Sequence, residues 1–256
     1  MIISHKHKYV FVGLPLAAST AISKELCLQY DGKPILAKHS IYQDFLKIAT
    51  TEEKEYKVLA CVRNPLDISV SQYTKMMNNA NGNYSNESLL RKNGGHLKQS
   101  EFELAKRFWQ KNGSFDDFLN EFYKIPFDNF LSITSSYCQF VIRFDHLQED
   151  FEKALISCNI KPKRPLPVVN KTEKKVLYED MFTAENQKIA LGIFGPYMIK
   201  HNIPFPSSWE QTELSLWSKL SFNIMGRLRK IYWLNKSYRD TNPQKVYKEL
   251  QEKYND

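Results

Sequence analysis

The chain has 256 residues, 42% of them hydrophobic and 25% charged, with 16 Phe, 14 Tyr and 4 Trp against only 9 Gly and 11 Pro. This excludes a collagen-like, low-complexity or disordered chain and leaves a globular protein of one large domain or two small ones. The net charge of +8 is unevenly placed: six Lys and Arg and no acid fall between Lys219 and Arg239, so a nearly neutral body carries a basic C-terminal segment, unlike a uniformly basic nucleic-acid coat.

No apolar run approaches the roughly 20 residues that cross a bilayer, and Met1-Ile2-Ile3-Ser4-His5-Lys6-His7 lacks the apolar stretch of a signal peptide. A cytoplasmic location is expected. Cys27, Cys61, Cys138 and Cys158 form no CxxC pair and read as small buried hydrophobes rather than disulfide partners or zinc ligands.

Three short apolar runs read as buried strands: Tyr9-Val10-Phe11-Val12, Val58-Leu59-Ala60-Cys61-Val62 and Gln139-Phe140-Val141-Ile142. Each is followed by a helix signal. A helix is expected from Ser19, with Ile22, Leu26 and Tyr30 four apart; Asn64-Pro65 supplies an N-cap and a Pro at N1; and residues 147–156 carry Leu147, Phe151, Ala154 and Leu155 on one stripe. This alternation predicts an α/β fold with a central parallel sheet flanked by helices. Between these units, Ser40-x-x-Gln43 has the form of a capping box opening a helix with Ile41, Phe45 and Ile48. Residues 78–100, rich in Asn, Gly, Ser and Lys, read as a long flexible excursion, and further helices are expected near 101–112, 114–123 and 179–201.

The loop Gly13-Leu14-Pro15-Leu16-Ala17-Ala18-Ser19-Thr20 joins the first strand to its helix, where backbone N–H groups can cradle a phosphate. It keeps Gly13 and Thr20 of the pattern G-x-x-x-x-G-K-[ST] but has Ala18 and Ser19 for the second Gly and the Lys, so it fails as an NTPase loop. Taken alone, the segment reads as a small-residue turn capped by Ser19 or Thr20 rather than as a phosphate cradle. The run from Arg63-Asn64-Pro65 to Ser71-Gln72-Tyr73 puts a cation at a strand's C-terminal end, the edge where open α/β sheets bind ligands. Ser71, two turns into the helix, is placed to share a phosphate with the Arg63 fork. The competing role for Arg63 is an ion pair with Asp67 at the helix start.

Together these segments resemble the cytosolic and Golgi sulfotransferase superfamily, whose donor is 3′-phosphoadenosine-5′-phosphosulfate (PAPS). The loop through Ala18-Ser19-Thr20 resembles the family's 5′-phosphosulfate loop, commonly P-K-T-A-G-T-S in carbohydrate sulfotransferases. Arg63-Asn64-Pro65 with Ser71 and Tyr73 resembles the 3′-phosphate motif, R-[DN]-P followed by S-x-Y. Residues 142–150 resemble the family's later strand and helix, and Val169-Asn170-Lys171-Thr172 resembles a loop near the donor.

The resemblance implies a P-loop-like sulfotransferase fold over residues 1–205, followed by a helical, basic C-terminal extension, 206–256. It implies donor contacts from Leu16, Ala17, Ala18, Ser19, Thr20, Ala21, Arg63, Ser71, Lys171 and Thr172. The implied reaction moves a sulfuryl group to a hydroxyl of a glycan or small natural product, leaves 3′-phosphoadenosine-5′-phosphate (PAP), and needs no metal. One departure stands out: the family's loop carries a Lys after the Pro, and this chain has Leu16. Lys24 and Lys38 are the candidate substitutes, and a surface role for either competes. The alternative function is a non-catalytic or altered-donor nucleotide-binding relative; a P-loop kinase is disfavoured by the missing Lys.

His39, in Lys38-His39-Ser40 between the two donor motifs, is the candidate base, since uronyl 2-O-type sulfotransferases place a His-Ser element there; a surface His before a helix cap competes. His5 and His7 would need a third ligand to hold a metal, and none is evident. Finally, Leu216, Leu220, Ile224, Leu228 and Ile231 form one apolar stripe. Docking on the domain is the ordinary origin of such a stripe; peripheral contact of 216–239 with an anionic membrane, Tyr232 and Trp233 at the interface, is the alternative. No nucleic-acid partner is expected.

Overall fold

The computed structural model describes residues 1–93, 97–167, 178–210 and 212–235. In chain order the elements are β1 (Ile2–Ser4), β2 (Tyr9–Val12), α1 (Ser19–Gln29), β3 (Lys33–Pro34), α2 (Tyr42–Leu46), β4 (Lys57–Val62), α3 (Pro65–Met77), α4 (Gln99–Gln110), α5 (Phe115–Phe122), α6 (Leu131–Thr134), β5 (Phe140–Arg143), α7 (Leu147–Ser157), α8 (Ala184–Lys200) and α9 (Leu216–Asn235). The described residues form two compact units, one of 1–63, 128–167 and 223–235 that contains the sheet, and a helical one of 64–93, 97–127, 178–210 and 212–222.

The sheet has the order β3-β1-β2-β4-β5. The three apolar runs of the sequence are its parallel part: Val10 pairs with Val58 and Val12 with Ala60, while Leu59 pairs with Phe140 and Val62 with Arg143. All four β2 residues are fully buried, which is why this strand reads as a continuous apolar run rather than an alternating one. The sheet is mixed rather than all parallel, because β1 pairs antiparallel with both β2 and β3. His5 and His7 lie in the turn between β1 and β2, where His5 Nδ1 is 3.3 Å from the Tyr56 hydroxyl and His7 Nε2 is 3.2 Å from Asp31 Oδ2.

One core joins the sheet to α1 and α7: Tyr9, Phe11, Leu59, Cys61 and Ile142 from the strands meet Ile22, Leu26, Phe151, Ala154 and Leu155 from the helices. At that sixteen-residue scale of buried apolar side chains, the free energy of burial dominates over any single polar contact. Two buried acids are satisfied by bidentate arginines: Glu25 by Arg164 at 2.9 and 2.8 Å, and Asp150 by Arg143 at 2.7 and 2.9 Å. All four cysteines are free thiols, and burial pushes those of Cys27 and Cys138 up to about 11 and about 12. The α2 cap differs from expectation by one residue. Ile41 occupies the N-cap and its N–H donates to Asp44 Oδ2 at 3.4 Å, while Gln43 turns inward and donates to the Ile133 carbonyl at 2.6 Å.

In the helical unit, α3 starts as its sequence predicts, Asn64 Oδ1 accepting from Leu66 N at 3.0 Å with Pro65 at N1. Ser114 and Asp117 exchange hydrogen bonds of 3.1 and 3.2 Å to open α5. The core is aromatic: Phe108, Phe115, Phe118 and Phe194 are buried, and Tyr73, Phe122, Tyr123 and Phe127 pack on them. The Asn/Ser/Gly-rich stretch after α3 is folded into three 3₁₀ turns, Ala80–Gly82, Glu87–Leu89 and Arg91–Asn93. Asn79 organises it, accepting from Tyr84 N at 2.9 Å and donating to Ser85 Oγ at 2.8 Å.

The apolar stripe of α9 does not dock. Leu216, Leu220, Ile224, Leu228 and Ile231 are all exposed. The residues that pack lie elsewhere on the helix: Ser218 and Phe222 in the helical unit, and in the sheet-bearing unit Arg229, which pairs with Asp128 at 3.6 Å, and Trp233, whose ring meets Phe130 edge-on at 5.3 Å. Trp233 is thus an anchor and not an outward-facing residue. No helix among the described residues is long and apolar enough to cross a membrane.

Candidate functional site

Because β2 and β4 are parallel, the β2–α1 loop and Arg63 emerge at the same edge of the sheet-bearing unit. The loop has an unusual backbone. Leu16 and Ala18 both adopt left-handed φ, 60° and 51°, around the fully buried Ala17. Left-handed φ costs an L-residue about 1–2 kcal/mol, and such strain collects at ligand-binding loops when surrounding contacts enforce it. Here they do: the Arg63 guanidinium donates from Nη1 to the Leu16 carbonyl at 3.1 Å, and the Ala18 carbonyl accepts from Ile22 N at 3.1 Å.

Ala18 is the N-cap of α1 and supplies no side-chain cap, so the reading in which Ser19 or Thr20 caps this helix does not hold. Ser19 and Ala21 are buried, and Thr20 is partly exposed. The first turn therefore keeps its N–H dipoles without a side-chain cap, the arrangement that favours an anion. Gly13 at the loop's start sits in a tight place. A Cβ there would meet the Lys38 carbonyl oxygen at 3.1 Å and Ser19 Cβ at 3.2 Å.

Lys38 and His39, on the segment between β3 and α2, close over this loop. Lys38 Nζ donates to Thr20 Oγ1 at 2.7 Å, and His39 Nδ1 lies 2.7 Å from the Gly13 carbonyl. A carbonyl only accepts, so Nδ1 carries the proton and Nε2 is left with its lone pair. Burial of the ring against the loop holds the His39 pKa below the ordinary 6.5, the Gly13 hydrogen bond opposes this, and the charge of Lys38 adds to the depression. The residue as a whole nonetheless keeps an exposed face. His39 is thus a neutral imidazole with a fixed tautomer and solvent access, the state a general base requires.

Arg63 is held from a second side, its Cζ 4.4 Å above the centre of the Phe144 ring, which packs against the sheet core. Lys24 lies on α1 one turn beyond Thr20 and on the same face. Ser71 is the seventh residue of α3 and belongs to the helical unit, whereas Arg63 belongs to the sheet-bearing one. Lys171 and Thr172 lie outside the described residues. Sequence reasoning missed the two carbonyls, Gly13 and Leu16, that orient His39 and Arg63, and the Phe144 platform. Only Phe144 had a signal, its place directly after β5.

No family model, curated protein or solved structure matches this chain. The site's chemistry therefore has to be argued from its own groups. Two cations, Lys38 and Arg63, a helix N-terminus without a side-chain cap and a neutral histidine meet on one loop. That set suits an anionic group beside a reacting hydroxyl. Among the described residues no group of three or more His, Cys, Asp or Glu could hold a metal ion.

Proposed function

We propose that the chain is a PAPS-dependent sulfotransferase, with a P-loop-like sulfotransferase fold, acting on a hydroxyl of a glycan or small natural product. The observation that carries the reading is the meeting of the two donor motifs: Arg63 is hydrogen-bonded to the Leu16 carbonyl inside the loop that the resemblance assigns to the 5′-phosphosulfate. In this reading the backbone of Leu16 to Ala21 and the Thr20 hydroxyl receive the phosphosulfate, and Arg63 takes the 3′-phosphate. Ser71 joins Arg63 on the strength of the sequence pattern alone, and so do Lys171 and Thr172 at the donor. The acceptor oxygen attacks sulfur, His39 Nε2 takes its proton, and the sulfur–oxygen bond to the phosphate breaks with its electron pair leaving on PAP.

Leu16 supports a second reading, a nucleotide-binding relative that lost the chemistry with the loop Lys. The position of Lys38 favours the enzyme. Its ammonium sits on Thr20, within the same loop, where a cation can meet charge growing on the leaving oxygen.

The test is calorimetric titration of the full chain with PAP, AMP and ATP, in wild type and Arg63→Ala. Tighter binding of PAP than of AMP, with a loss in Arg63→Ala of roughly tenfold or more for PAP alone, is expected from a charge-assisted contact of about 1.5–3 kcal/mol. Equal binding of PAP and AMP, or preference for ATP with magnesium, would overturn the assignment. PAP binding with no sulfuryl transfer to any hydroxyl acceptor would select the second reading.

A further inference from the structure

Nothing in the donor chemistry accounts for the outward face of α9. Projected at 3.6 residues per turn, Leu216, Trp217, Leu220, Ile224, Leu228, Ile231, Tyr232 and Leu234 all fall within one arc of about 160°, interrupted by Arg227 near one edge, by Ser221 near the other and by Asn235 at the helix end. Every one of them is exposed, Leu216 at 84% and Trp217 at 75%, although neighbouring positions on the same helix, Ser218 and Phe222, are buried. An apolar face of this size turned to water marks a surface that meets something else.

The charges on the helix say what. Lys219 and Lys230 are exposed and line one flank of the arc, exposed Arg227 lies just inside that same edge, and no Asp or Glu occurs between Lys219 and Arg239. A second copy of the chain pairing through this face would bring an unrelieved basic flank against its twin. An acidic protein groove would grip a narrow row of anchors spaced three and four apart. An arc approaching half the circumference, running the length of a 20-residue helix of about 30 Å and carrying an aromatic near each end, instead matches a helix half-sunk in an interface.

We infer that α9 is a membrane-surface helix, its Leu216–Ile231 stripe entering the headgroup boundary of an anionic bilayer and Lys219, Arg227 and Lys230 meeting the lipid phosphates. The face opposite, through Ser218, Phe222, Arg229 and Trp233, keeps the helix attached to the protein. This stands apart from the donor chemistry and would hold for either reading of the loop.

The experiment is co-sedimentation of the full chain with vesicles of phosphatidylcholine alone or mixed with phosphatidylserine, at low and high salt. Binding is expected to the phosphatidylserine vesicles, to weaken with salt, and to fall at least tenfold in Ile224→Asp/Leu228→Asp, whose positions are exposed and whose melting temperature should match wild type. Lys219→Glu/Lys230→Glu, a second exposed pair, should abolish the preference for phosphatidylserine over phosphatidylcholine. Absence of vesicle binding by the wild type, or binding that both variants retain, would overturn the inference. So would a dimer in sedimentation velocity that Ile224→Asp/Leu228→Asp dissociates while vesicles bind neither protein, since the face would then belong to a second copy.

Discussion

At the residue scale, the chemistry of His39 follows from one hydrogen bond. With Nδ1–H committed to the Gly13 carbonyl, the ring presents Nε2 as its only acceptor, and burial keeps the imidazole neutral to a lower pH than a free histidine would allow. Turnover should therefore stay level from neutrality down past pH 6.5 and fall only on further acidification, as His39 gains a proton. His39→Gln should lower kcat by about 10²–10⁴, the usual contribution of a general base, and remove that acid limb while PAP affinity changes little. A limb that persists in His39→Gln would assign it to another group. Lys38→Ala should instead depress turnover by about 10²–10³ with a smaller effect on PAP affinity, because its charge matters most as the leaving oxygen becomes anionic. Equal losses in binding and turnover would make Lys38 a ground-state contact. His39 and Lys38 were legible as a dipeptide between two motifs. Their orientation was not, because the partner of His39 is a backbone carbonyl 26 residues away, which leaves no mark on the sequence.

At the scale of elements, the sequence is most readable where burial is two-sided. The strands β2 and β4 are continuous apolar runs because both faces are covered, and the edge strand β5 keeps the run although only Ile142 is fully buried, whereas β1, with only Ile2 and Ile3 apolar, and β3, two residues long, offer no pattern to detect. Helix α9 shows the opposite limit: periodicity reveals that an apolar stripe exists but not whether it faces the core. Its anchoring in the helical unit depends on a proline. Pro196 lies inside α8 and has no N–H for the Gly192 carbonyl four residues back, and Ser218 Oγ donates to that carbonyl at 2.7 Å. Ser218→Ala should then cost about 1 kcal/mol, the penalty of a half-buried acceptor losing its donor, measured by urea unfolding. In a Pro196→Ala background, where residue 196 can donate to Gly192, the same substitution should cost markedly less. Additive effects in this cycle would show that the serine is not compensating for the proline.

For the whole molecule, the histidines and carboxylates whose pKa falls on folding all weaken stability on acidification, whereas the buried thiols and phenols, whose pKa rises, weaken it only on the alkaline side. In the helical unit, burial and then the charge of Lys200 lower the His201 pKa from 6.5 to about 4, while its ring packs on Tyr197 at 4.6 Å. Between those values the unfolded chain binds a proton that the folded one refuses, so stability falls as pH drops from about 6.5 and the loss is complete near 4. The ceiling on this contribution is about 3 kcal/mol at 1.36 kcal/mol per pH unit. His39 adds the same sign in the sheet-bearing unit, and so does the Met1 ammonium, whose pKa burial lowers from 8.0 to about 5. Asp150 takes over at lower pH: hydrogen bonds from Arg143 hold its carboxyl below 3.8 against the opposing effect of burial. Its stabilisation is present above the ordinary carboxylate pKa and disappears as pH falls through the depressed one. Melting temperature should therefore decline in two stages on acidification, the first beginning near pH 8 and steepening below 6.5, the second below 4. His201→Phe, which keeps an aromatic ring against Tyr197 but cannot titrate, should flatten the first stage and leave the second in place. A first stage of undiminished slope below pH 6.5 in His201→Phe would remove His201 as its cause and leave it to His39 and the Met1 ammonium, and His39→Gln would then have to reduce it.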